Sequence, residues 1–511
     1  MRLPTFIKQT ALRTGAIFLV KVIGLAVRIP LFRLLGSEGM GIYQIVYSVY
    51  GFALTLLSGG FPTSLALLTA KDKKQGWLVY KSLAVPILFL GTVSSLICFA
   101  IAPNIAHFFG DNSLTFPIRC LAPALFIVPL LQLYRGFLQG VEFYGYVAVS
   151  ELIEQTVRVG TMLLLVVLWM KQDTYAAAGG AVFGAFTGAC FALLFLWSLK
   201  YNKRLKLIPA TNNGTYYKSA RWLILGPGIF LFFKSSFAIT LTRIVMPASD
   251  FLDALIIPSR LQVSGLSQSE AIAIFGEVFG IATTIVYLPT IVTAAISYTM
   301  AAKLTANWQN RKKSSFVERS SLSLEIGWFW GISSMLILFF HADDLSMLIV
   351  GSQEATEAIR YMSFAPLIAG MRELTTTILW AADQKKAPLV GLLVGLICSA
   401  IAAYHLTAIP GFGYAGVAIS AFILEITSLL WNALIIQKRC KGAFPVMTLL
   451  AYLIFLASIG FLNVPFENFL LYIGIESRTM QSLGSILFFL GCIALFLLLR
   501  FLGRGSFRRY R

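Results

Sequence analysis

Glu151, Glu154, Gln155 and Arg158 fall at i, i+3, i+4 and i+7. On an α-helix that spacing puts all four on one stripe. The segment that carries them, residues 144–169, is otherwise mostly apolar. Two carboxylates, an amide and a guanidinium on one face can orient cations and bond the hydroxyls of a polar cargo. The same stripe can instead tie helices together inside a bilayer, and the sequence leaves both roles open. Glu154 and Arg158 are also spaced to pair along the helix.

A second set of residues is cationic. Lys21 and Arg28 share one face of residues 13–35, and Arg135, Lys234, Arg243 and Arg372 lie in other apolar segments. Lys234 and Arg243 are half a turn out of phase and do not share a face unless their helix breaks; Gly226-Pro227-Gly228, just upstream, is the expected bend. A charge at the centre of a lone membrane helix costs at least about 2.5–3.5 kcal/mol, so these groups should face a cavity or a partner. Arginine forks match phosphate oxygens bidentately, so an excess of buried cations points to an anionic cargo. Arg119, Arg360, Glu277 and Glu325 fall near segment ends, where snorkelling to the surface is expected.

Covalent chemistry finds little support. The three histidines are far apart, and the six cysteines include no CxxC pair. No catalytic residue, metal site, cofactor or disulfide is expected.

The elements that must position these groups follow from composition. Of 511 residues 58% are hydrophobic and only 12% charged, with a mean hydropathy of +0.80. A soluble chain is nearer about 45–50% apolar and about 25% charged. This is an all-α polytopic membrane chain without a separate soluble domain. Met1 to Arg13 is basic and the apolar stretch that follows is long and lacks a small-residue cleavage site, so the first helix is expected to be retained. Fourteen apolar segments read as spans: 13–35, 42–69, 82–102, 114–139, 144–169, 175–199, 219–246, 272–301, 322–341, 358–381, 388–406, 414–437, 446–464 and 481–502.

The net charge of +19 comes from 41 Lys and Arg against 22 Asp and Glu. With both termini placed inside, 28 of the 41 basic residues fall in the inner connections, four in the outer ones and nine within spans. That asymmetry predicts an N-in, C-in topology. It also accounts for the basic balance through topology and attraction to lipid headgroups, with no call for nucleic acid.

An internal repeat is visible. Tyr175-Ala-Ala-Ala and Tyr414-Ala-Gly-Val each open a segment, and Gly136-Phe-Leu-Gln-Gly140 matches Thr377-Ile-Leu-Trp-Ala381. Gly36 to Gly41 has a looser counterpart in Gly265 to Glu270. The first two pairs share an offset of roughly 240 residues, which predicts two six-helix lobes. Six being even, the copies run parallel, as in transporters that bind substrate at the repeat interface. The expected organisation is 1–205 and 206–440 for the lobes, then 441–511 for two extra helices and a basic tail.

Several motifs in one order resemble a known family. They are Leu34-Leu-Gly-Ser-Glu-Gly-Met-Gly-Ile-Tyr-Gln44, Ser58-Gly-Gly-Phe-Pro-Thr-Ser64, Arg135-Gly-Phe-Leu-Gln-Gly140, Glu154-Gln-Thr-Val-Arg158 and Ser259-Arg-Leu-Gln-Val-Ser-Gly-Leu-Ser267. Together they resemble the stage V sporulation protein B group of polysaccharide-biosynthesis proteins. These belong to the multidrug/oligosaccharidyl-lipid/polysaccharide exporter superfamily and are related to MurJ-type lipid II flippases. The resemblance implies fourteen helices and the movement of an undecaprenyl-pyrophosphate-linked saccharide across the bacterial cytoplasmic membrane. It also implies a monomer working among membrane lipids, driven by H⁺, Na⁺ or the membrane potential. In the lipid II flippases the first helix supplies a cavity arginine beside an aspartate; Arg28 lies in the matching stretch, but Val27 and Ile29 flank it.

The sequence therefore predicts an alternating-access flippase with Arg28, Arg135, Glu151, Glu154, Gln155, Arg158, Lys234, Arg243 and Arg372 as cavity residues. The alternative on the same architecture is a cation-coupled multidrug exporter, which a cation-rich cavity disfavours. A membrane glycosyltransferase would need paired carboxylates in an outer loop; the longest one expected, Pro247 to Ala271, offers Asp250, Asp253 and Glu270 without obvious pairing. A scaffold for wall-synthesis enzymes would tolerate loss of the cavity charges. Reporter fusions at Gly110 and Asp343 should read as external; a cytoplasmic signal at either would refute the topology.

Overall fold

A computed structural model describes residues 5–201, 216–440, 442, 444, 446–473, 480, 481, 483–492 and 495. The described chain is helical throughout, with short connections and no strand. That follows from the solvent: in hydrocarbon each backbone N–H and C=O must be paired internally, and a helix does so within one segment. Nine helices among the described residues are long and apolar enough to cross a bilayer, and a tenth crossing is added if one bent pair is a single span.

The chain divides into two compact units, Met1–Gly276 and Glu277–Arg511. The first holds α1 (Thr5–Ser58), α2 (Phe61–Lys71), α3 (Lys73–Phe108), α4 (Thr115–Gly140), α5 (Tyr144–Trp169), α6 (Thr174–Tyr201), α7 (Tyr216–Arg243), α8 (Val245–Val263) and α9 (Gln268–Phe275). Helix α1 is two helices joined at a kink, where Gly36 adopts φ +68°. A left-handed residue there favours glycine, and the turn separates the first two expected spans.

Two expectations change in this unit. The segment read as continuous over 42–69 stops at Ser58 and restarts at Phe61, across Gly59 and Gly60. Gly60 lets α7 approach closely, since a Cβ there would lie 2.1 Å from the Ser236 carbonyl oxygen. Residues 247–271, read as an outer loop, are almost entirely helical. α8 continues from α7 after a 47° bend at Ile244, and α9 begins at a capping box made by Ser267 and Glu270. The buried residues Ser249, Asp253, Ala254, Ile257, Pro258 and Leu261 recur at helical spacing, a periodicity that outweighs the charge of this stretch. The break at Ile244 also lies well past Gly226-Pro227-Gly228, where it was expected; Pro227 lies inside α7.

The second unit begins within a π-helical segment, Gly276–Ala282, and continues through α10 (Thr283–Val286), α11 (Thr290–Gln309), α12 (Lys313–Phe340) and α13 (Ala342–Leu345). A second π turn, Ser346–Val350, leads to α14 (Thr356–Met362), α15 (Ala365–Ala381), α16 (Lys386–Leu406), α17 (Gly413–Arg439) and α18 (Val446–Tyr472). The expected span 272–301 is thus interrupted around Pro289, whose missing N–H cannot continue the ladder. Phe316, Leu324, Met371, Leu374, Ile378 and Ile436 form a core joining α12, α15 and α17.

Left-handed residues mark matching connections in the two halves of the sequence: Gly110 with Gly351, and Glu142 with Asp383. Their spacing repeats the offset of roughly 240 residues. The actual α4–α5 connection is residues 141–143, because Gly136–Gly140 belongs to the last turn and a half of α4.

Charges expected to snorkel divide into two kinds. Arg119 is exposed above the Phe99 ring, and Arg360 pairs at the surface with Asp343 and Glu357. Glu277 and Glu325 instead are buried and accept hydrogen bonds from Tyr414 and Tyr452. A tyrosine on a facing helix satisfies each carboxylate without a route to the surface.

Helix α6 sets the position of α5. Gly180, Gly184 and Gly188 form a ladder on one face, and Cβ atoms at the last two would lie 2.6 Å from the Arg158 carbonyl oxygen and 2.5 Å from that of Glu154. Small residues at this spacing let two membrane helices touch backbone to backbone. Gly188→Leu should destabilise the unit by about 1–3 kcal/mol through overpacking. A thermal midpoint unchanged from the parent protein would contradict this close packing.

Candidate functional site

The polar stripe of α5 is divided between two neighbours. Arg135, on α4, is 4% exposed and reaches Glu154 at 2.5 Å through Nη1. Its Nε donates to Ser150 Oγ at 2.9 Å, and that hydroxyl in turn donates to the Val147 carbonyl. Glu154 therefore pairs across helices with Arg135, although its spacing also allowed pairing with Arg158 along α5.

Arg158 turns toward α1. Its guanidinium lies 5.2 Å above the Tyr47 ring, and its charge also acts on the hydroxyls of Tyr43 and Tyr50. Tyr43, Tyr47 and Tyr50 follow one face of the second half of α1, with Tyr43 stacked on Tyr47 at 5.6 Å. Such an aromatic face attracts a cation electrostatically.

Between these groups lies a cavity of about 210 Å³, whose lining includes Arg28, Tyr43, Tyr47, Gln155 and Arg158. Arg28 comes from the first half of α1 and the tyrosines from the second, so the kink at Gly36 brings them together. Gly24 leaves room for Gln155, whose Nε2 would stand 3.4 Å from a Cβ at that position. The volume is below the roughly 300–1,000 Å³ of small-molecule sites. It suits one anionic group better than a whole saccharide.

On α8, Asp253 is buried and accepts from Ser249 Oγ at 3.4 Å, and Asp250 lies one turn before it. Phe251 holds this part of α8 by stacking on Phe52 at 4.9 Å and meeting Phe109 edge-on at 5.6 Å.

The other candidate residues lie apart from this cavity. Glu151 is half-buried on the α5 stripe, and Lys234 is exposed on α7. The Lys21 side chain lies outside the described residues. Arg243 donates to the Gly59 carbonyl at 2.8 Å and to Thr63 Oγ1 at 2.9 Å, which bridges the end of α7 to the break between α1 and α2. In the second unit Arg372 pairs with the buried Glu425, while Thr293 Oγ1 donates to Glu373 at 3.4 Å. The tyrosines were not singled out from sequence, although the i, i+4, i+7 spacing of Tyr43, Tyr47 and Tyr50 could have marked them; the α8 aspartates were weighed only as carboxylates of an outer loop.

The motifs that position this cavity fall within residues 6–296, which match the family of polysaccharide biosynthesis proteins. The chain belongs to that family. Stage V sporulation protein B of Bacillus subtilis is 23% identical over 445 residues, which span 85% of this chain and 84% of that protein. A solved structure of the lipid II flippase MurJ in an inward closed conformation aligns with a TM-score of 0.66 and 15% identity, over 95% of this chain and 98% of its own. An inward-facing multidrug resistance transporter of the MATE family and MOP superfamily also aligns at 0.66, with 12% identity, over 83% of this chain and 94% of its own. This family member thus has the fold shared by these membrane transporters, and it is a multi-pass protein of the bacterial cytoplasmic membrane.

The α4–α5 pairing makes a specific energetic claim. Removing one partner of a buried ion pair leaves the other charge uncompensated, a loss of about 3–5 kcal/mol. Arg135→Met should therefore lower thermal stability sharply, and adding Glu154→Leu should restore much of it. A double variant no more stable than the single one would refute the pairing.

Proposed function

We propose that this protein is an alternating-access flippase for an undecaprenyl-pyrophosphate-linked saccharide, lipid II or a similar wall or polysaccharide precursor. The observation that carries this reading is the convergence of Arg28 and Arg158 with Gln155, Tyr43 and Tyr47 around one small cavity. Two guanidinium groups match the oxygens of a pyrophosphate. Gln155 is suited to an adjacent sugar hydroxyl. Arg135, Glu151 and Glu154 hold the stripe in register, and Arg243 steadies the helix break. Lys234 on α7 and, within the second unit, Arg372 are further candidate contacts for polar cargo groups. Translocation breaks no covalent bond, so binding and release at the two leaflets are the whole reaction, with an ion gradient or the membrane potential as the driving force.

The architecture that goes with this proposal is fourteen spans, N-in and C-in. It has six-helix lobes over 1–205 and 206–440 and two further helices after residue 441. The bent pair α7 and α8 counts as one span, and so does the interrupted run from α9 through α11. The match to polysaccharide biosynthesis proteins and the name of the lipid II flippase support the substrate class.

A second reading, a cation-coupled multidrug exporter, draws on Asp250 and Asp253, carboxylates of the kind that bind a coupling cation. It predicts drug resistance on expression, dependent on protons or sodium, and loss of that resistance in Asp253→Asn.

Arg28→Gln and Arg158→Gln should each lower translocation of a labelled lipid-linked saccharide in vesicles at least tenfold, while leaving the protein folded. Arg158→Lys should restore little, because an ammonium cannot offer a planar fork. Full translocation by both glutamine variants would defeat the site.

A further inference from the structure

A cavity of about 630 Å³ in the second unit lies far along the chain from the site above. It opens where the start of α12 meets the end of α17, and its lining includes Trp308, Lys313, Ser314, Glu318, Arg439 and Cys440. Lys313 and Arg439 stand on different helices, yet the charges of both act on the Cys440 thiol. Burial raises the thiol pKa and the two cations pull it back. The cations therefore converge on one spot that no sequence motif marks. The wall beneath is apolar, with Phe316 fully buried and Trp308 packed on it at 5.1 Å.

Both helices are spans by length and composition, and the cavity sits at their ends. Arg311, Lys312 and Lys438 flank it in sequence. A tryptophan at a span end belongs to the level of the headgroups. Two cations of different helices, a serine hydroxyl and an apolar wall together match a phosphodiester attached to a glycerol backbone. The cations and hydroxyl take the phosphate oxygens, and the wall takes the first methylenes. Glu318 disfavours a bare highly charged anion and tolerates a singly charged headgroup with neutral hydroxyls.

We propose that this cavity is a binding site for the phosphate-bearing headgroup of an anionic membrane lipid, held between Lys313 and Arg439. The site is separate from cargo translocation and does not depend on the flippase reading.

Cys440 reports on its occupancy. The full-length protein, purified in detergent, would be alkylated and the extent of reaction at Cys440 read peptide by peptide. The additions are dioctanoyl phosphatidylglycerol, dioctanoyl phosphatidylcholine or inorganic phosphate. Phosphatidylglycerol should slow alkylation several-fold, phosphatidylcholine should not, and Lys313→Gln or Arg439→Gln should abolish the protection. Native mass spectrometry should show the same order of lipid retention. Equal protection by inorganic phosphate would keep the phosphate site and make its ligand soluble. Equal protection by both lipids, no protection by any addition, or protection that survives both substitutions would overturn the proposal. Should a variant fail to fold, the comparison of the two lipids on the parent protein decides alone.

Discussion

Arg135 determines what the rest of the α5 stripe can do. By hydrogen-bonding Ser150 and pairing with Glu154, it engages the carboxylate that Arg158 would otherwise meet four residues along its own helix. Arg158 then lies against an aromatic face, and its charge borders a cavity. In a bilayer the choice of partner is consequential, because an uncompensated charge cannot turn to water. The polar groups of α5 thus separate into an ion pair against α4 and a cavity-lining edge against α1. The glycines of α6 hold both in place by letting its backbone press on the carbonyls of Glu154 and Arg158.

Helix breaks do the remaining positioning. The kink at Gly36 turns α1 back so that Arg28 and Tyr47, far apart in sequence, line one cavity. The break at Gly59 and Gly60 and the bend at Ile244 lie on neighbouring helices, and Arg243 spans between them. A carbonyl left unpaired at a helix end needs a donor, and a guanidinium supplies it without straightening the helix. Irregular backbone at membrane depth is tolerated where protein groups satisfy it, as Arg243 does here.

Much of the fold was legible in the sequence, and the residues show why. α5 matches its expected limits of 144–169, since a mostly apolar run whose polar residues keep helical spacing, flanked by polar turns, favours one continuous helix. The expected loop over 247–271 is helical because its buried residues recur at helical spacing in spite of its charges. Glu277 and Glu325 were expected at the surface by their position in the chain, but tyrosines from helices more than a hundred residues away satisfy them inside. For the site, the stripe was visible and its division was not.

The sequence by itself determined that this is an all-helical membrane protein with an excess of intramembrane cations. Composition and the 3.6-residue period depend only on neighbours along the chain, and the bilayer penalises charge wherever it falls. Only the tertiary structure decided which cations are engaged by carboxylates and which border a cavity. Arg135, Arg158 and Arg372 look alike in sequence, yet one is buried against Glu154, one lies over Tyr47 and one meets Glu425. The difference arises because an ion pair forms between side chains that packing brings within a few ångströms, and helix-on-helix packing sets those distances between residues that the sequence keeps apart.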